Sequence, residues 1–138
     1  MIKTTGLKEE MEKIARLGAT FDEELMDELN ELGLEWRDDT RKNINVVSGD
    51  LRRSTVFEGA EKHGKEFVIA VSNNMEYAEH YEYGHRQEAG RFVPAIGKRL
   101  VKSYVKGQYT FRTSRQRAKA KLPERIRAAI SRAEARLK

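Results

Sequence analysis

The charge of this chain is divided by position, and the division limits what each end can lie against. Residues 1–40 hold five Lys/Arg against twelve Asp/Glu, residues 41–97 hold eight of each, and residues 98–138 hold fourteen against two. The net charge of +5 is what remains of an acidic head and a basic tail. A uniformly basic chain points to nucleic acid, whereas a chain of two opposite ends can also satisfy its charge against copies of itself or against neighbours. No zinc finger, stacking motif or aromatic-interleaved basic platform accompanies the tail, which puts nucleic-acid binding behind protein contact.

A length of 138 residues fits one domain, 1–138, with a modest core. With no cysteine, disulfide staples and thiolate metal sites are excluded. Neither a secretory apolar run nor a stretch approaching the roughly 20 apolar residues of a membrane span is present, so a soluble, cytoplasmic protein with no membrane partner is expected.

Leu7, Met11, Ile14 and Leu17 recur at three- and four-residue steps, predicting a short N-terminal helix over 1–18 that Gly18 ends. A second helix is expected from Thr20, whose pairing with Glu23 is a capping-box pattern. Phe21, Leu25, Leu29, Leu32 and Trp36 continue its apolar stripe to about Lys42 or Asn43, and Asp22, Glu23 and Glu24 suit the positive end of its dipole. Next comes Val46-Val47-Ser48-Gly49-Asp50-Leu51-Arg52-Arg53-Ser54, a tight connection in which Gly49 admits a positive φ and Leu51 plugs the turn into the core. Thr55–Phe57 and Phe67–Val71 then read as a hairpin with a polar tip that holds His63 as a surface histidine.

The segment Tyr77-Ala78-Glu79-His80-Tyr81-Glu82-Tyr83-Gly84-His85 gathers histidines and carboxylates. A zinc-protease helix needs two histidines four apart with a glutamate directly after the first; here the spacing is five and Tyr81 follows. A metal site of His80, His85 and Glu82 is geometrically conceivable but has no third histidine or remote acid to complete it. The bland reading is two helical turns stopped by Gly84, with Tyr81 and Tyr83 packed against the sheet and the glutamates facing solvent or a subunit. Ser48 lacks the flanking glycines of a nucleophile elbow, and the glycines are too scattered for a phosphate loop. Catalytic, cofactor and metal residues are therefore none, and a metal-dependent hydrolase is the weakest of three functional readings.

In order, Thr40-Arg41-Lys42-Asn43, then Val47-Ser48-Gly49-Asp50-Leu51-Arg52-Arg53-Ser54, then Tyr77 to Arg86 resemble the head-tail joining, or tail-completion, proteins of tailed bacteriophages and prophages. That family shows a helix ending in basic residues, a valine and Gly turn leading to Leu-Arg-any-Ser, a hairpin, and Tyr-Ala leading to aromatic-Glu-aromatic-Gly. Val105 to Phe111 resembles a subset of it, so the likeness touches roughly residues 7 to 130, and the order of the pieces carries it. Ser48 and the strongly basic tail depart from the usual pattern. The resemblance implies a non-enzymatic virion protein at the neck, in the host cytoplasm during assembly. Its implied form is a homo-oligomeric ring between a portal-bound adaptor and a tail terminator or tail-tube protein, with DNA a possible occupant of the lumen. The alternative is a basic nucleic-acid-binding module.

A ring needs one face of a subunit against a different face of the next. The acidic helix of one subunit is accordingly expected against the basic C-terminal helix, 112–138, of its neighbour. Residues 86–98 read as a long mobile loop that orders on meeting an adjacent ring or the terminator, with Phe92 and Val93 as apolar anchors beside Arg91. Residues 98–105 alternate as a strand that joins the hairpin. Leu122, Ile126, Ile130, Ala133 and Leu137 form the last helical stripe, with Pro123 in its first turn and Arg115 to Lys121 either a separate basic connector or an earlier turn. Arg125, Arg127, Arg132 and Arg136 around that stripe are expected to meet another protein in preference to DNA. The fold expected is α+β: a small antiparallel sheet of three to four strands packed by a long N-terminal helix and a C-terminal helix.

Overall fold

The computed structural model describes residues 2–3, 11–45, 49–95, 97–99, 101 and 103–138. Leu7, Val46, Val47, Ser48, Leu100 and Lys102 lie outside the described residues. In chain order the elements are β1 (Ile2–Lys3), α1 (Met11–Asn43), α2 (Asp50–Arg53), β2 (Thr55–Phe57), β3 (Glu61–His63), β4 (Glu66–Val68) and β5 (Val71–Asn73). They continue as α3 (Tyr77–Tyr83), β6 (Gly84–Arg86), β7 (Phe92–Val93), β8 (Lys98–Arg99), β9 (Tyr104–Lys106) and α4 (Thr110–Arg136). This is an α+β fold of two long helices and small antiparallel sheets.

The helices form the spine. Leu25, Leu29 and Leu32 of α1 are fully buried, and Leu25 and Leu29 pack with Phe67 of β4 and Ala129 of α4 into one core, edged by Phe21, Met26, Ile69, Leu122 and Ile126. The face of α4 turned to α1 is built from small residues: Ser114, Ala118, Ala129 and Ala133 are buried. Small side chains let the two backbones approach, so most of the apolar bulk at the seam comes from α1. Of the expected α4 stripe, Leu122 and Ile126 reach the core, whereas Ile130 and Leu137 are exposed.

Two expected breaks do not occur. Gly18 lies inside α1, whose helix runs from Met11 through the predicted stop and the predicted Thr20 cap. A mid-helix glycine costs about 1 kcal/mol against alanine and does not force a turn, so cooperative continuation outweighs it. Pro123 lies inside α4, which begins at Thr110, so Arg115 to Lys121 are earlier turns of the same helix and not a separate connector. Its ring stands exposed and removes one backbone donor from a helix held on both sides.

The hairpin is split. Thr55↔Asn73, Val56↔Ser72 and Phe57↔Val71 pair at its base, Glu61↔Val68, Lys62↔Phe67 and His63↔Glu66 pair at its tip, and β1 adds to β4 to make a three-stranded sheet. The base is clamped on α1 where Gly33 faces Phe57, since a Cβ at Gly33 would stand 2.1 Å from the Phe57 ring.

The strand expected at 98–105 is two separate pieces, and neither joins the hairpin. Tyr104–Lys106 pairs with Gly84–Arg86, and Lys98–Arg99 pairs with Phe92–Val93 to make a small ribbon in the 86–98 segment. The cause is backbone proximity at two glycines. Gly84 leaves α3 at φ +84, and a Cβ there would meet the Val105 carbonyl at 2.5 Å; a Cβ at Gly107 would meet the Glu82 carbonyl at 2.3 Å. Only paired glycines allow the end of α3 and the end of β9 to touch in this way.

Candidate assembly surface

Opposite charges meet along the α1–α4 seam within a single chain. Arg125, with its side chain 19% exposed, places its guanidinium 2.6 Å from both Glu35 oxygens, 3.2 Å from Glu28 and 3.3 Å from Glu31. Burial lowers the pKa of Arg125, but hydrogen bonds to Glu35, Glu28 and Glu31 more than reverse this and hold it above the ordinary arginine value. Arg132 closes on the second oxygen of Glu28, a carboxylate that is itself buried. At the two ends of the seam Arg136 bonds Glu23 and Glu24, which raise its pKa, and Arg117 bonds Asp39 at 2.8 Å.

The acidic helix therefore meets the basic helix of its own chain, and Arg125 is held inside the fold. The reason is geometric: both helices are long enough to lie side by side, so charges spaced along one face find intramolecular partners first. What remains outward on α4 is a second row, Arg115, Lys119 and Arg127, all exposed and with no carboxylate partner among the described residues.

The Tyr77–Tyr83 helix locks onto the start of α4. The backbone N–H groups of Phe111 and Arg112 donate to the two oxygens of Glu82 at 2.8 Å each, so this buried carboxylate caps a helix that has no capping side chain of its own at Tyr109. Gln108 N–H and Tyr109 N–H donate to the carbonyls of Tyr81 and Glu82. Tyr81, half-buried, lies with its hydroxyl 3.0 Å from Thr110 Oγ1 and accepts from the Asn45 N–H at 3.1 Å. Tyr81 thus joins the ends of α1 and α4, while Tyr83 is 63% exposed against the edge of Tyr109 and does not pack under the sheet as expected. Tyr109 carries a φ of +52, the one non-glycine positive value among the described residues, at the point where the chain swings into α4.

This geometry takes Glu82 out of the conceivable metal trio, because both its oxygens are held by α4. His80 and His85 do meet, with ring centroids 4.8 Å apart, and no group of three or more possible ligands stands around them among the described residues. Both rings instead line an open cleft of about 1070 Å³ between the α2 turn, the α3–β6 segment and the β7–β8 ribbon. Phe92 on that ribbon is 50% exposed, Arg91 is exposed, and Val93 turns partly inward to line the cleft.

A spine closed by its own charges, with a projecting ribbon and outward aromatic residues, defines a small structural module whose free surface lies away from the helix seam. The chain belongs to the HK97-gp10-like family, described as "Bacteriophage HK97-gp10, putative tail-component", whose model matches residues 6–84, more than half of its length. It is a bacteriophage tail- or neck-related virion structural protein. No curated protein and no solved structure matches it significantly. The matched span ends at Gly84, so it holds the helix, hairpin and Tyr-Ala segment of the sequence resemblance. Glu82 as a helix cap and the Arg125 cage were missed by sequence reasoning, which had no signal linking α3 or α1 to a residue some 30 or 90 positions away.

Among the described residues no helix is long and apolar enough to cross a membrane.

Proposed function

We propose that the chain is a ring-forming subunit of the virion neck that joins the portal-adaptor complex to the tail, and that it acts by contact and not by catalysis. Family membership over residues 6–84 carries this reading. The fold supports it: the helix seam is internally neutralised, leaving the β7–β8 ribbon and the exposed Tyr83 edge as contact surfaces. Arg91, Phe92 and Val93 are the ribbon residues assigned to the adaptor or tail-terminator contact, and Tyr83 to the neighbouring subunit. Arg132, half exposed, serves the seam first and the subunit contact second. Arg125 and Tyr81 act by holding the fold.

The outward Arg115, Lys119 and Arg127 row favours a second role within the same ring, a positive face towards DNA in the lumen. Cross-linking mass spectrometry on intact virions tests both assignments. Links from the 86–98 ribbon to an adaptor or terminator protein and links between copies are expected; a chain linked only to tail-fibre or capsid-shell proteins would refute the neck position.

A further inference from the structure

The cleft under the β7–β8 ribbon has a composition that specifies a ligand. Its floor is aliphatic, from Ile44, Leu51, Met75, Val93 and Val105. Its walls carry Arg52, Arg86, Arg91 and Lys98, and none of the described residues lining it is an aspartate or glutamate. Arg86, Arg91 and Lys98, all exposed, find no carboxylate among the described residues. Two further groups of the lining, Arg52 Nε and His85 Nδ1, are buried without a hydrogen-bond partner. Orphaned buried polar atoms beside unpaired cations in a concavity are what a bound anion would satisfy.

We propose that this cleft docks a carboxylate-rich peptide segment of a partner protein, with an aliphatic or aromatic side chain of that segment on the floor. Four cationic side chains in a lining with no aspartate or glutamate among its described residues select acidic side chains, and a bidentate guanidinium–carboxylate pair supplies orientation. The aliphatic floor decides between macromolecules. A sugar-phosphate backbone gains nothing from five aliphatic side chains, whereas an apolar anchor flanked by Asp or Glu satisfies floor and walls together. Only the identity of the phage protein that supplies the segment rests on the neck reading; the binding chemistry belongs to this chain alone.

The test selects ligands for the full chain from a displayed random peptide library, then measures the enriched peptides by fluorescence anisotropy. Enrichment of Asp and Glu next to Leu, Ile, Phe or Trp is expected, with affinity that falls as salt rises. The double reversal R86E/R91E, at two exposed positions, should weaken binding by about tenfold or more, while R115E/K119E on α4 should leave it unchanged. Equal melting temperatures establish that both variants are folded. Absence of enrichment, enrichment of neutral or basic peptides, or binding indifferent to R86E/R91E would each overturn the site. Stronger competition by a single-stranded oligonucleotide than by the acidic peptide would assign the cleft to nucleic acid and overturn it as well. Peptide binding that survives while the chain proves absent from the neck would count against the proposed function and leave this site standing.

Discussion

Glu82 shows how much one side chain can decide. On a helical wheel of residues 77–83 it falls with Glu76 and Glu79 on the side read as solvent, yet it is buried and its two oxygens hold the Phe111 and Arg112 amides at 2.8 Å. The wheel is right about the helix and blind to what arrives over it, because α4 starts 27 or more residues later along the chain. Replacing Glu82 by Ala removes the cap and leaves two buried N–H groups; a loss of about 1–2 kcal/mol is expected in urea unfolding. Arg125 is the second such residue. Read from sequence as one of four equivalent tail arginines, it alone sits among three carboxylates, with Glu28 buried beneath it. Arg125→Met should cost about 3 kcal/mol by leaving that buried carboxylate with one partner fewer, whereas Arg127→Met, at an exposed site, should change the unfolding midpoint within error.

Among the elements, the long helices were legible and their limits were not. Periodicity placed Phe21, Leu25, Leu29 and Leu32 on one face, and these are core residues, three of them fully buried. Gly18 and Pro123 look like boundaries because each is a helix breaker in isolation; a helix packed along its length tolerates both. Replacing Pro123 by Ala restores a backbone donor at an exposed position and should raise thermal stability, by an amount below the roughly 3 kcal/mol penalty of an interior proline because the unfolded chain also gains freedom. The strands were legible as β-forming stretches but not in their pairing. Val105 alternates with its neighbours as a strand should, but its partner is His85, a choice set by the glycine contacts at 84 and 107 and not by alternation. A Gly107→Ala change forces a methyl group against the Glu82 carbonyl and should lower the melting temperature by several degrees, unlike Gly18→Ala inside α1, where no atom stands within 4 Å.

For the whole molecule, the division of charge between the two ends of the chain has a different use from the one the sequence suggests. Twelve acids in the first forty residues and fourteen bases in the last forty-one look like two faces awaiting a second copy. Folded, Glu23, Glu24, Glu28, Glu31, Glu35 and Asp39 meet Arg136, Arg125, Arg132, Lys121 and Arg117 along one intrachain seam. Composition cannot distinguish the two outcomes, since the same pairs serve either; helix length and antiparallel placement decide. The proposed ring contact is therefore assigned to the ribbon and its surroundings. Deleting residues 87–96 should leave a chain that unfolds cooperatively, since the helix seam and the core are built from other residues, and that no longer joins heads to tails.

The central claim is that this family member holds the head to the tail of its virion. Electron microscopy of lysates from phage lacking the gene tests it most directly. The account predicts DNA-filled heads and complete tails lying apart, with joined particles restored when the purified chain is supplied. Intact, joined virions in its absence would contradict the claim.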